Sequence, residues 1–108
     1  ITVIDNTFAT PFNQTPRDFG IDLVLHSATK YLGGHSDILA GAVAGPESLI
    51  STLRKTLRML GPTLDPFAAW LMLRGMKTLS VRIRQQNKNT QKLAEYLLQH
   101  PKVRRVYY

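Results

Sequence analysis

The sequence predicts an α/β fold, and three features carry that prediction. Short apolar runs rich in branched residues, each bounded by turn chemistry, occupy residues 1–45. Leucines at helical spacing take over beyond Pro46. The residues richest in chemistry gather just past the ends of the first two runs, the edge at which open α/β sheets bind ligands.

"ITVI" (1–4) and "IDLVLH" (21–26) are the two best strand candidates, and "LAGAVAG" (39–45) is a weaker third. Between the first two, "ATPFNQTPRDFG" holds two prolines and a glycine, which suit an irregular connection with room for a short helical turn. Leu49, Leu53, Leu57 and Leu60 then form a stripe with Arg54, Lys55 and Arg58 mostly off it, and Gly61 and Pro62 end that helix. Asp65 is placed to cap a second helix, with Pro66 at its first position, where a missing N–H costs nothing. A third helix is expected over 81–99, with Thr90, Leu93, Ala94 and Leu97 on its apolar face and Pro101 beyond its end. "KVRRVYY" reads as the start of a further strand.

The 108 residues are 44% hydrophobic, enough for the core of one modest domain. The sequence opens inside a strand-like run and stops without a capping signal, so it reads as an internal segment of a longer chain. It shows neither a signal-peptide pattern nor an apolar run of membrane-spanning length, and a cytoplasmic location is expected. The absence of cysteine excludes disulfide and thiolate chemistry. Fourteen basic against seven acidic residues give a net charge of +7, compatible with a basic binding module for nucleic acid or another acidic partner. However, Arg54, Lys55, Arg58, Arg82, Arg84, Lys88 and Lys92 are spread over several helices, without the interleaved aromatic residues of a single-strand binder. Solvated helix faces are the expectation for them.

The most pointed stretch is "VLHSATKYLGGHSD" (24–37), which sets Ser27, Thr29 and Lys30 almost side by side ahead of two glycines. Two hydroxyls beside a lysine suit a phosphate, since each can donate one hydrogen bond and turn N–H groups can add more. A nucleotide-binding loop does not fit. It needs its glycines ahead of the lysine and a hydroxyl residue directly after, where Tyr31 stands. A lysine amine that attacks a carbonyl carbon accounts for more residues. Pyridoxal phosphate offers an aldehyde for Lys30, a phosphate for Ser27 and Thr29, and a ring nitrogen that Asp5 could pair with. The plainer alternatives are an exposed loop lysine, a strand-end turn former at Asp5, and hydroxyls bonded to local backbone. His26, His35 and Asp37 lack the pattern of a metal set and read as structural. Trp70, Met72 and Met76 read as core or subunit contact.

"VIDNTFATPFNQTP" followed by "GIDLVLHSATKYLGGHSDILAG" resembles the pyridoxal-phosphate enzymes of cysteine and methionine metabolism, the transsulfuration group. The likeness continues through "LDPFAAWLMLRGMKTLSVRIRQQN" to "HPKVRRVYY". It implies the large domain of an aspartate-aminotransferase-like, fold type I transferase, with residues 1–100 its C-terminal part and 101–108 the start of a small domain. It implies that Lys30 forms the Schiff base and then shuttles protons, that Asp5 pairs with the pyridine nitrogen, and that Ser27 and Thr29 bind the phosphate. Thr7 is implied to lie close to the ring. It further implies an amino-acid substrate, no nucleic-acid or membrane partner, and a homo-oligomer built as a dimer of dimers. "FATPFNQ", "LGGHSDILAG" and "RGMKTLSVRIRQQN" look most like cystathionine γ-synthases, which replace the γ-substituent of an activated homoserine with cysteine. The γ-lyases and β-lyases, including methionine γ-lyase, stand as alternatives. An inactive relative, or this segment inactive by itself, is the non-enzyme outcome.

Overall fold

The computed structural model describes residues 1–108, the whole sequence given. Its sheet has three strands in the order β1 (Val3–Asp5), β2 (Leu23–Ser27), β3 (Gly41–Ala44). β1 and β2 run parallel, with Asp5 opposite Leu25, so their carboxyl ends share one edge. β3 pairs antiparallel to β2, with Ser27 opposite Gly41.

The connection from β1 to β2 holds a one-turn helix, α1 (Thr10–Asn13), and a 3₁₀ turn at Pro16–Phe19. Thr10 is fully buried with φ 62°, an uncommon conformation for a β-branched residue and an awkward one ahead of Pro11. Its surroundings hold it there. Its N–H donates to Asn6 O at 2.9 Å, its carbonyl accepts from Gln14 N at 3.2 Å, and its hydroxyl accepts from Phe12 N at 3.2 Å.

Three longer helices follow: α2 (Glu47–Leu60), α3 (Pro66–Met76) and α4 (Leu79–Leu98). Gly61 closes α2 in the left-handed region, its N–H returning to Leu57 O at 2.9 Å. Asp65 caps α3, its Oδ1 accepting from Phe67 N and Ala68 N at 3.0 Å each. None of the three helices is long and apolar enough to cross a membrane.

Three expectations are corrected. α4 begins at Leu79, two residues before the expected start, because α3 passes almost directly into it through Lys77 and Thr78. On α4 the residues that bury are Ile83 and Ala94, whereas Leu93 is 55% exposed. Residues 102–108 form no strand, because no sheet edge in this chain lies beside them to supply hydrogen bonds. Ala28, Leu32, Ile38, Ile83 and Ala94 make up the small buried apolar core, three of the five in the segment between β2 and β3.

Candidate active site at the carboxyl edge of the sheet

Asp5 ends β1 and Ser27 ends β2, so the parallel register brings both to the same edge. Buried Thr7 joins them. Ser27 N–H donates to Thr7 Oγ1 at 2.7 Å, which leaves the Thr7 proton for Asp5 Oδ1. The Thr7 N–H donates to the same carboxylate oxygen at 2.9 Å. The result is a one-way chain, Ser27 to Thr7 to Asp5, that fixes one oxygen of Asp5 and leaves the other without a partner in the chain. Thr7's hydroxyl, followed by its N–H, holds the Asp5 carboxyl below its ordinary 3.8; burial opposes this and His26 adds a small attraction.

A second network holds the loop that carries Thr7. Asn6 is 2% exposed and pairs reciprocally with Gln14: Asn6 Nδ2 donates to Gln14 O at 3.1 Å, and Gln14 Nε2 donates to Asn6 Oδ1 at 2.9 Å. α4 braces this loop from outside, with Asn87 Nδ2 donating to Asn13 Oδ1 at 2.8 Å and the Arg84 guanidinium over the Phe12 ring.

Lys30 lies three residues beyond Ser27. Its N–H donates to Ser27 O at 3.1 Å and its carbonyl accepts from Gly34 N at 2.8 Å, so the backbone is fixed on both sides. Its side chain is exposed and makes no ion pair or hydrogen bond. It borders an open cleft of about 960 Å³ that Phe8, Thr29, Tyr31 and residues of α3 and α4 also line. Asp5, Thr7 and Ser27 are not in the lining, so the cleft lies to one side of the sheet edge.

Thr29 differs from Ser27. Its hydroxyl accepts from Ala40 N at 3.0 Å and reaches Ala40 O only at 3.4 Å, so its proton is weakly engaged. The Ser27 hydroxyl has no partner in the chain. His26 is buried on the central strand with Nδ1 unpartnered, and burial holds its pKa below 6.5 against a weaker opposing pull from Asp5. His35 Nδ1 lies 2.8 Å from Gly33 O. His26, His35 and Asp37 do not converge as a ligand set.

Sequence reasoning missed Asn6, Gln14 and Arg82. Arg82, expected on a solvated face, is half-buried: its guanidinium donates to Tyr31 O, Gly75 O and Thr78 Oγ1 at 2.9–3.0 Å. Those partners are neutral oxygens up to 51 residues away, and no charge pattern in the sequence marks them.

The family model described as Cys/Met metabolism PLP-dependent enzyme matches residues 1–108. The chain is 56% identical over 108 residues to cystathionine gamma-synthase 1, chloroplastic, of Nicotiana tabacum, covering all of this chain and 20% of the relative. It superposes with TM-score 0.96 and 48% identity on a cystathionine gamma synthase from Xanthomonas oryzae pv. oryzae solved with aminoacrylate and cysteine, covering all of this chain and 28% of that one. A cystathionine gamma-lyase from Lactobacillus plantarum complexed with L-serine gives TM-score 0.96 at 44% identity, covering all of this chain and 29% of that one. The chain thus spans between a fifth and a third of the length of these relatives. With the family model matching from first residue to last, the chain belongs to the Cys/Met metabolism PLP-dependent enzyme family.

Proposed function

We propose that this chain is the lysine-bearing part of a transsulfuration enzyme, and that the whole protein is a cystathionine γ-synthase joining an activated homoserine to cysteine. The observation that carries the reading is the Ser27–Thr7–Asp5 hydrogen-bond chain, with an unpaired Lys30 three residues beyond Ser27 and tied by its N–H to the Ser27 carbonyl. This donor set fits pyridoxal phosphate, offering one carboxylate oxygen, one hydroxyl and one amine that nothing in the chain has taken up.

When bound, the cofactor supplies an electron-poor ring that stabilises negative charge at a substrate carbon. Asp5, kept anionic by Thr7, would hold a proton at the ring nitrogen. Ser27 would donate to the phosphate, and Thr29 would do so by giving up its long contact to Ala40 O. Lys30 would bind the aldehyde carbon through Nζ and, once released, carry protons between the substrate's α, β and γ positions. Thr7 sits below this arrangement as the group that orients Asp5.

Residues 1–100 are read as the C-terminal part of the large domain and 101–108 as the start of the small one. The exposed apolar faces of α2 and α3 suit a full-length homo-oligomer of amino-acid-binding subunits, for which a cytoplasmic setting is the working reading. The tobacco relative's name brings a plastid as the alternative. Elimination is the second reading, favoured by the equal superposition on a γ-lyase.

Incubating the full-length protein with pyridoxal phosphate, an activated homoserine and cysteine tests the choice. Net cystathionine formation is expected. Cleavage of cystathionine to a keto acid without net formation would replace the synthase reading with a lyase, and neither activity in cofactor-loaded protein would remove both.

A further inference from the structure

We infer that Arg82 is a positioning residue for Lys30, clamping the turn that carries the lysine to the junction of α3 and α4. This rests on the reading of Lys30 as the cofactor-bearing amine. The turn runs from Lys30 to Gly34 and is closed by the Gly34 N–H to Lys30 O bond. Arg82, in the first turns of α4, reaches it from outside. Nη1 donates to Tyr31 O at 2.9 Å, Nη2 to Gly75 O at 3.0 Å and Nε to Thr78 Oγ1 at 3.0 Å. One planar guanidinium thus ties the residue next to Lys30 to two points on the helical junction.

The glycines around it are consistent with a built contact. Gly34 has φ 77°, and a Cβ there would collide with the Arg82 guanidinium. A Cβ on buried Gly75 would collide with Gly33 O. Close approach therefore depends on both positions lacking a side chain. Arg82 forms no ion pair, so its donors are committed to these neutral oxygens and not to a carboxylate. The lysine's Cα–Cβ direction is set by the turn, and the clamp fixes where a flexible four-carbon side chain starts. A lysine at position 82 would keep the charge and lose the fork.

The test uses the full-length protein carrying Arg82→Lys, Gly34→Ala or both, with pyridoxal phosphate uptake and visible-region circular dichroism as readouts. Arg82→Lys is expected to weaken cofactor affinity about tenfold and to alter the dichroism of the bound chromophore. Gly34→Ala, which displaces the same guanidinium, is expected to do the same alone and to add little in the Arg82→Lys background. Folded variants with unchanged affinity and unchanged dichroism overturn the inference, as do two effects that add in full. If Arg82→Lys does not fold, Arg82→Gln, which leaves the left-handed Gly34 backbone untouched, decides by the same readouts, and failure of both to fold makes Arg82 a structural strut. Absence of uptake by the unsubstituted protein is a separate result, which removes the cofactor reading and this inference with it.

Discussion

The loop beyond β1 and the outer face of α2 are built on opposite terms. In the loop, Asn6, Thr7 and Thr10 are all at or below 6% exposed, and the side chain of each has at least one hydrogen-bond partner in the chain. On α2 no residue is buried, and Met59 and Leu60 stand 87% and 74% exposed. Polar groups have thus found partners inside the 108 residues, whereas a stripe of leucines has not. Contiguous apolar surface of this kind marks an interface, and the relatives are three to five times longer than this chain. The site edge carries its own scaffold, and the apolar face of α2 has no cover within these 108 residues.

Lys30→Ala should break the site side of that contrast most completely. In the full-length protein it should lower turnover by about 10³-fold or more, measured as cystathionine formed, while leaving the unfolding midpoint of the cofactor-free protein nearly unchanged. Lys30 makes no side-chain bond that its removal would orphan. Leu57→Ala probes the other side. It should destabilise the full-length protein by about 2–3 kcal/mol in chemical unfolding if α2 is covered, against under about 0.5 kcal/mol for a solvent-exposed leucine. Asn6→Ala should cost about 1–3 kcal/mol by the same measurement, because it removes both bonds between the buried Asn6 amide and the half-buried Gln14.

Smaller effects follow from titration. Thr7→Val removes the hydroxyl that most strongly holds the Asp5 carboxyl down, so Asp5 should titrate higher and the acid limb of the pH–rate profile should move to higher pH. His26 is the weakest case. Its folded pKa lies below 6.5, so the unfolded chain binds the proton first. Its contribution to stability is present above pH 6.5 and is lost as the pH falls below that value. His26→Gln should flatten the dependence of unfolding free energy on pH in that acid range.

The sequence made legible whatever depends on near neighbours. Ser27, Thr29 and Lys30 stand within four residues, Asp65 precedes the helix it caps, and β-branched runs mark β1 and β2. The Asn6–Gln14 pair spans eight residues of irregular chain, and the Arg82–Tyr31 contact spans 51, so no periodicity announces either. The C-terminal run "KVRRVYY" has strand composition without a strand, because a strand is a relation to a partner edge. Thr29 teaches the same lesson at atomic scale. Its residue type and spacing suit a phosphate, yet its hydroxyl already accepts from Ala40 N.

The most direct test of the central claim is borohydride reduction of the full-length protein with pyridoxal phosphate, followed by peptide mapping. The account predicts one pyridoxyl group, carried on Lys30. A folded protein that takes no label, or takes it on another lysine, would contradict it.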